Sequence, residues 1–460
     1  MLLEKIITAA LNRKLSSLLA IFALAATASA APRLMQGPML GNVTTDSATI
    51  WARVGGEHEL SIRYSESPMF IDAKETAPVK ATAANDFCVT TELTELLSGT
   101  FYYYQVLLDG QQLDNAAERE GYPLLTAPDM KTNLKFSIAF GSGAKAEADG
   151  LQAIWLQVQN ARPHTFIWLG DNAPVSGLAP QFQAEQYRKQ RNVPFLQPLL
   201  RSIPQLATWD APRSDTQSAQ ESLDVFKRYW ANPCYGTQDA PGAYFKYHYG
   251  GVDFFILDSY TYRDENNGST ILGESQLAWL KSELAESDAT FKILISGSSW
   301  SNPIHKTKNT WIAAQSERDA LFAYIKEKEI NGVTLLSGDD DEAEIKAIPM
   351  SSKGGYDLYE LVSSPLAQEP QPNYDEDAEN TIAIHEPYSE SMNFGLLTFD
   401  MDPENPSYSF EIIDVFGKSV FPEFTVKASE LQNGVASWKE KVDAETLAYF
   451  ETTLAQQAAN

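Results

Sequence analysis

Cysteine is nearly absent from this sequence. Cys88 and Cys234 are its only two in 460 residues. A pair so far apart cannot supply the bridged framework on which small secreted scaffolds depend, and a chain of this length buries enough apolar surface without one. Both thiols are expected to be free and buried. Basic side chains are also in short supply, 35 against 61 acids, for a net charge of −26. Nucleic acid and anionic lipid would be repelled by such a field, so neither is expected as a partner. Beyond residue 30 no stretch of 18 uninterrupted apolar residues occurs, so no membrane span is expected in the mature chain. Hydrophobic content of 43% and charged content of 21% exclude a disordered chain.

The first 30 residues read as an export signal. Lys5, Arg13 and Lys14 form a basic region, Leu15 to Ala25 an apolar one, and Ala28-Ser29-Ala30 a small-residue cleavage site. Its removal takes away three basic side chains and Glu4, leaving the mature chain two charges more negative. The expected destination is the periplasm or the extracellular space.

Residues 31–128 carry an all-β pattern. Ser47 to Val54, Glu59 to Tyr64, Phe87 to Thr91 and Thr100 to Leu108 alternate, with Gly55-Gly56 and Asp109-Gly110 marking turns between them. Short, regularly spaced strands of this kind make a sandwich, and the run Leu93 to Val106 resembles the tyrosine-corner strand of fibronectin type III domains. From 129 to 430 strands and helices alternate, which predicts an α/β domain. Strands are expected at Leu134 to Phe140, Val252 to Leu257, Phe291 to Ser296, Val333 to Leu336 and Leu358 to Ser363. Helical faces are marked by Leu151, Ile154, Trp155 and Val158, by Leu277, Leu280 and Leu284, and by Leu321 and Ile325, the last behind a cap at Ser316. Residues 366–390 read as a long acidic surface loop. The tail 431–460 holds an amphipathic helix from Trp438, with Val442, Leu447, Phe450 and Leu454 on one face.

Chemistry is concentrated where apolar strands stop. Val333 to Leu336 runs into Ser337-Gly338 and then Asp339, Asp340, Asp341, Glu342 and Glu344. The same device recurs at Leu169-Gly170-Asp171, at Trp209-Asp210 and at Leu257-Asp258. In open α/β sheets ligands bind at the strand ends, so four such endings suggest one site assembled from several strands. Taken alone, an acid run is a solvated turn.

Together these segments resemble the alkaline phosphatase D (PhoD-like) metallophosphatases. The resemblance rests on Ile138-Ala-Phe-Gly-Ser142, Trp168-Leu-Gly-Asp-Asn172, Thr208-Trp-Asp210 and Val225-Phe-Lys-Arg-Tyr-Trp-Ala-Asn-Pro233. It continues through Phe254-Phe-Ile-Leu-Asp258, Thr261-Tyr-Arg-Asp264, Gln276-Leu-Ala-Trp-Leu280, Leu335-Leu-Ser-Gly-Asp339 and Tyr359-Glu-Leu-Val-Ser-Ser-Pro-Leu366. It implies a fibronectin-like opening domain and then a four-layer α/β/β/α metallophosphoesterase domain, with two metals at the strand ends and phosphoesters as substrates.

The departures from the family pattern fall on the chemistry. Gly143 stands where the family has a thiolate ligand and Pro174 where it has a tyrosine. Ala211, Pro212 and Arg213 follow Asp210 in place of Asp-His-Asp, and Asp340-Asp341 replaces Arg-His. No retained motif holds a histidine. His58 falls in the sandwich, and His164, His248, His305 and His385 suit surface or core roles. Two-metal hydrolysis needs cations about 3.5–4 Å apart, held by nitrogen and sulfur for transition metals or by oxygen for calcium and magnesium. The metal candidates that remain are Asp171, Asp210, Asp339 and Asp341, with Asn172 and Arg213 to contact substrate and Asp210 and Arg263 as catalytic candidates. A family-type iron or zinc centre is not expected on such a set, whereas one calcium or magnesium ion is compatible with it. Two carboxylates 4 Å apart repel by about 4 kcal/mol at an effective dielectric of 20. Converging aspartates therefore bind a cation, take up protons, or turn Asp340 to Glu342 outward, and Glu342 or Tyr260 could supply missing ligands. The leading expectation is a pseudophosphatase or binding module. A divergent phosphoesterase using a hard cation, and an interaction protein acting through the sandwich, stand as alternatives.

Overall fold

The computed structural model describes residues 32–113, 120–209, 216–264, 269–301, 310–338, 342–370, 382–385 and 387–459. Two small sheets open the chain. One pairs Leu34–Val43, Ala48–Val54 and Cys88–Leu93, and the other is built around Glu59–Ser65 and Phe101–Leu108. Alternation puts Ile50, Ala52, Val54, Leu60, Ile62, Tyr104 and Val106 between them as one core. The Leu97 N–H donates to Tyr102 Oη at 2.9 Å, so this tyrosine anchors a corner, as its motif suggests.

Two large sheets form the body. The six-stranded one runs, in spatial order, Gln205–Thr208, Thr165–Leu169, Lys135–Gly141, Asn393–Asp400, Ser407–Asp414 and Phe424–Lys427. Its first three strands are parallel and the rest form an antiparallel meander. The seven-stranded one runs Phe245–Tyr249, Val252–Ile256, Phe291–Ser296, Val333–Ser337, Leu358–Val362, Glu344–Ile348 and Ile382–Ala383. Val252–Ile256 through Leu358–Val362 are parallel.

The period of two assigns each face. Ile138, Phe140, Ile167, Leu169 and Leu206 point into a core shared with Phe254, Ile256, Ile293 and Leu335 of the facing sheet. Their neighbours Ala139, Phe166, Trp168 and Ala207 point the other way, onto Ile154, Trp155 and Val158 of the helix Ile154–Ala161. Leu280, Leu284, Leu321 and Ile325 of the helices Gly273–Glu286 and Gln315–Glu327 join the shared-core cluster. The result is the expected layered α/β architecture behind a sandwich.

Several local expectations are corrected. Helix Gln315–Glu327 begins behind Ala314 with no side-chain cap, so Ser316 lies within it. Leu151 precedes its helix and is exposed. Leu366 and Ala367 are buried and Ile382–Ala383 pairs with Glu344–Ile348, so much of 366–390 that is described is built into the body and not a surface loop. Cys88 is buried and its thiol is pushed up to about 12 by that burial, but Cys234 is exposed. The tail helix starts at Ala444, with Val442, Leu447 and Phe450 against the core.

The sandwich is seated on the body by a buried cation. Arg191 is 2% exposed, with its guanidinium over the rings of Trp51, Tyr187, Tyr229 and Trp230 at 4.6–5.5 Å. It donates to the carbonyls of Tyr229 and Tyr187, and burial pushes it down to about 10. Trp51 Nε1 donates to the Arg228 carbonyl at 2.7 Å, and Asp86 binds Arg53, Arg188 and Tyr229.

At the start of Val252–Ile256, Asp253 receives His248 Nδ1 at 2.6 Å, Ser287 Oγ at 2.6 Å and Lys246 Nζ at 3.1 Å. Burial alone would raise its carboxyl, but these contacts hold it down to about 2 from 3.8. A depressed acid stabilises the fold above its unfolded value and loses that contribution as pH falls through the folded one. Asp253→Asn is therefore expected to cost about 2 kcal/mol at pH 6, with the wild-type advantage fading as the pH is lowered toward 2. Urea unfolding of both proteins across that range measures it. A pH-independent difference contradicts the assignment.

Candidate functional site

The strand ends of the two large sheets meet at one place. A Cβ added at Gly338, just past Val333–Ser337, would stand 2.5 Å from Ser142 Oγ and 3.1 Å from Leu169 Cβ. One added at Gly297, just past Phe291–Ser296, would stand 3.1 Å from the Leu169 carbonyl and 3.7 Å from that of Trp209. Thr208 Oγ1 donates to the Leu257 carbonyl at 2.7 Å. The ends of six strands, four of them preceding the aspartates noted in the sequence, thus lie in mutual contact. Only glycine permits the closest of these approaches.

Asp171 is thrown out of its strand by two successive left-handed residues, Gly170 at φ 103° and Asp171 at φ 47°. Its carbonyl accepts the Ala144 N–H at 2.9 Å, and Lys145 Nζ lies 3.7 Å from its Oδ2. Asn172 is 4% exposed. Its Nδ2 donates to the Thr208 carbonyl at 2.7 Å, while its Oδ1 is buried with no hydrogen-bond partner. The strap from Ser142 to Lys145 is pinned on its other side by 366–367, through Leu366 N to Ser142 O at 2.8 Å and Ala367 N to Gly143 O at 2.8 Å. At Gly143, with φ 74°, a Cβ would meet Pro365 Cβ at 3.1 Å and Gln368 Nε2 at 3.3 Å.

Beneath this surface lies a charged floor. Glu360, 0% exposed, accepts from Ser337 Oγ at 2.6 Å, Trp300 N at 2.7 Å, Ser299 Oγ at 3.2 Å and Ser301 Oγ. Lys346 pairs with Glu344 and stands 3.7 Å from Glu360 and 3.4 Å from Ser299 Oγ, all of them buried. Burial would raise the Glu360 carboxyl, but Lys346, Ser301, Ser337 and the Trp300 N–H keep it below its ordinary value. A carboxylate so saturated is not a general base, and an ammonium so paired is not a nucleophile. Both hold the strand ends in place.

Of the candidates named from sequence, Asp171 and Asn172 are at the convergence. Arg263 is half-buried, donates to the Thr310 carbonyl at 3.2 Å and lies over the Tyr260 ring. Asp210, Arg213, Asp339 and Asp341 lie outside the described residues, as does His305. Asp258 is not a ligand here. Its carboxylate accepts the N–H groups of Ala243, Tyr260 and Thr261 and caps its own turn. Glu342 is buried at 1% exposure, so it does not turn out to solvent. His58 pairs with Asp109, His248 with Asp253, and His385 stacks on Phe421, while burial lowers His164. Sequence reasoning missed Lys145, Gln368, Glu360 and Lys346. The last two were marked by charges in otherwise apolar strand patterns, Glu344-Ile-Lys-Ala-Ile348 and Leu358-Tyr-Glu-Leu-Val362, which register Lys346 opposite Glu360.

These residues do not fit the dinuclear centre that the resemblance implies. The thiolate position is a left-handed glycine at which an added Cβ would be crowded by Pro365 and Gln368. A resident ammonium faces Asp171. Among the described residues no three His, Cys, Asp or Glu side chains are grouped to hold a metal. The buried Asn172 Oδ1 favours a hard cation. A groove of about 370 Å³ lined by Cys234, Tyr244, Lys246, Trp279 and Glu283 shares no residue with the strand-end cluster.

Comparison with known proteins follows the same lines. The family model described as PhoD-like phosphatase matches residues 214–410, and that of the PhoD-like phosphatase N-terminal domain matches 21–120. A solved structure of PhoD superposes with a TM-score of 0.67 at 15% identity, covering 91% of this chain and 96% of that one. The purple acid phosphatase PPD1 from yellow lupin (Lupinus luteus) seeds superposes with a TM-score of 0.63 at 14% identity, covering 86% and 74%. At these identities the likeness is one of fold. No curated protein matches the chain.

Restoring the missing ligand side chain is expected to harm the protein. Gly143→Cys forces a left-handed residue against Pro365 and Gln368 and is expected to cost about 1–3 kcal/mol without conferring zinc binding. Thermal unfolding with and without zinc checks this. A zinc-stabilised variant contradicts it.

Proposed function

We propose that this chain, which belongs to the PhoD-like phosphatase family, is an exported pseudophosphatase that keeps the family scaffold as a binding module for a phosphoester small molecule. What supports this reading most directly is the Gly143 strap. A left-handed glycine stands where the family has a thiolate, and a side chain there would be strained and tightly crowded by Pro365 and Gln368. Phosphoester hydrolysis on this fold depends on cations to polarise the phosphate and to lower the pKa of the attacking water. Without the sulfur and histidine ligands, and with Lys145 already beside Asp171, the groups that remain bind and orient better than they activate water.

A second reading is favoured by one atom. Asn172 Oδ1, buried and without a partner, is the kind of oxygen that a calcium or magnesium ion takes, and Asp171 is its chain neighbour. On that reading Asp210 and Arg263 would serve a divergent phosphoesterase.

Metal content and turnover separate the two. The mature chain, equilibrated with calcium, magnesium, zinc and iron, is expected to retain less than about a tenth of an equivalent of each. It is expected to release nitrophenol from aryl phosphate mono- and diesters no faster than buffer. Near-stoichiometric metal together with turnover abolished by Asp210→Asn would overturn the pseudophosphatase reading.

A further inference from the structure

The seven-stranded sheet ends on Phe245–Tyr249, which pairs with Val252–Ile256 and, among the described residues, with no strand on its other side. Gly250 and Gly251, at φ 56° and 84°, make the two-residue turn of this hairpin, so Tyr249 and Val252 form the first bonded pair of the ladder. Bonded pairs then alternate along the strands. Phe245, Tyr247 and Tyr249 give their N–H and C=O groups to the inner neighbour, while those of Tyr244, Lys246 and His248 point outward. Tyr244 bears this out, because its carbonyl accepts the Gly236 N–H at 2.9 Å. Past that one bond the segment turns away toward Ala207, which Asn232 binds. Among the described residues nothing bonds the outward main-chain groups of Lys246 and His248.

A groove of about 370 Å³ opens along this edge. Cys234 and Gly236 of the departing segment line it, with Lys246 and His248 of the strand and Trp279 and Glu283 of helix Gly273–Glu286. Trp279 and Glu283 are one helical turn apart and so share a face. The Trp279 ring packs on Tyr244 with centroids 4.9 Å apart. An edge lysine ordinarily wards off a further strand, but Lys246 is drawn back onto Asp253 at 3.1 Å and Glu283 at 3.3 Å. Its ammonium is thus shared between two carboxylates, in a chain of net charge −26.

We propose that this edge is a docking site for an extended basic peptide, which adds as a further strand beside Phe245–Tyr249. Main-chain bonds to Lys246 and His248 carry the added strand, as Gly236 already does at Tyr244. An arginine or lysine side chain of the peptide lies along Trp279 with its charge at Glu283. Acidic segments are repelled by the field of the chain. The groove shares no residue with the strand-end cluster, so this inference stands or falls apart from the metal and turnover measurements.

Hydrogen–deuterium exchange of the full mature chain, read at single residues, tests the edge before any peptide is added. The Lys246 and His248 amides are expected to exchange roughly tenfold or more faster than those of Tyr247 and Tyr249. Equal protection of all four overturns the proposal, because the edge is then already covered, by a second copy or by the chain itself. The probes are blocked heptapeptides that alternate arginine with valine, leucine or phenylalanine, at about 0.15 M salt to screen the general field. The best of them is expected to slow exchange at Lys246 and His248 severalfold and to bind about tenfold or more tighter than its glutamate counterpart. Absence of protection by every probe overturns the proposal. That probe has two alternately N-methylated forms. The one without donors toward the edge is expected to lose binding and the other to keep it, and like behaviour of the two overturns strand addition. Glu283→Gln is expected to weaken the basic probe about threefold or more, and Glu283→Lys to reverse the preference between basic and acidic probes. Unchanged affinities in both variants overturn the charge assignment at the groove.

Discussion

The contact of Gly338 with Ser142 and Leu169 sets how closely the two large sheets approach at their carboxyl edge. With a Cβ at that point the sheets would have to part. The strap beyond Ser142 could not then run between Asp171 on one side and Ala367 on the other. Because the strap is so confined, Gly143 takes a left-handed conformation against Pro365 and Gln368, and Lys145 emerges beside Asp171. A steric limit between one backbone and the side chains packed on it thus propagates into the charge distribution of the site.

Charge is the second constraint. The chain is strongly acidic, and several acids near the strand ends are answered from within. Glu360 and Glu344 share Lys346 and a set of hydroxyl and N–H donors, Asp258 is consumed by its own turn, and Asp171 faces Lys145. The seven-stranded sheet accepts buried charge only because opposite signs lie in register, Lys346 across from Glu360.

Much of the architecture was legible in the residues. Phe291–Ser296 matches its expected bounds, the other apolar strands of the body lie within a residue or two of theirs, and the convergence of strands that end in aspartate follows from their pattern. Elements governed by contacts distant in sequence were not legible. Leu366 and Ala367 sit in acidic, proline-bearing surroundings, yet they are buried because they pair with the strap at Ser142 and Gly143. Lys145 looked like one more surface lysine. Only the ladder that ties its neighbours to Asp171 and Ala367 gives it a role. Asp258 shared its pattern with Asp171, and nothing local showed that three N–H groups and Thr261 would claim its carboxylate.

The seat of the sandwich on the body bears on synthesis. Trp51 donates its indole N–H to Arg228, 177 residues further along, and packs beneath Arg191 in the company of Tyr229. Gly41 abuts Ala231, also downstream. At about 5–20 residues per second, a ribosome makes that stretch in roughly 10–35 s. Through the later part of that interval, once Tyr122–Leu125 has completed the sandwich, it carries an apolar face whose cover does not yet exist, a holding time during which a chaperone has something to grip.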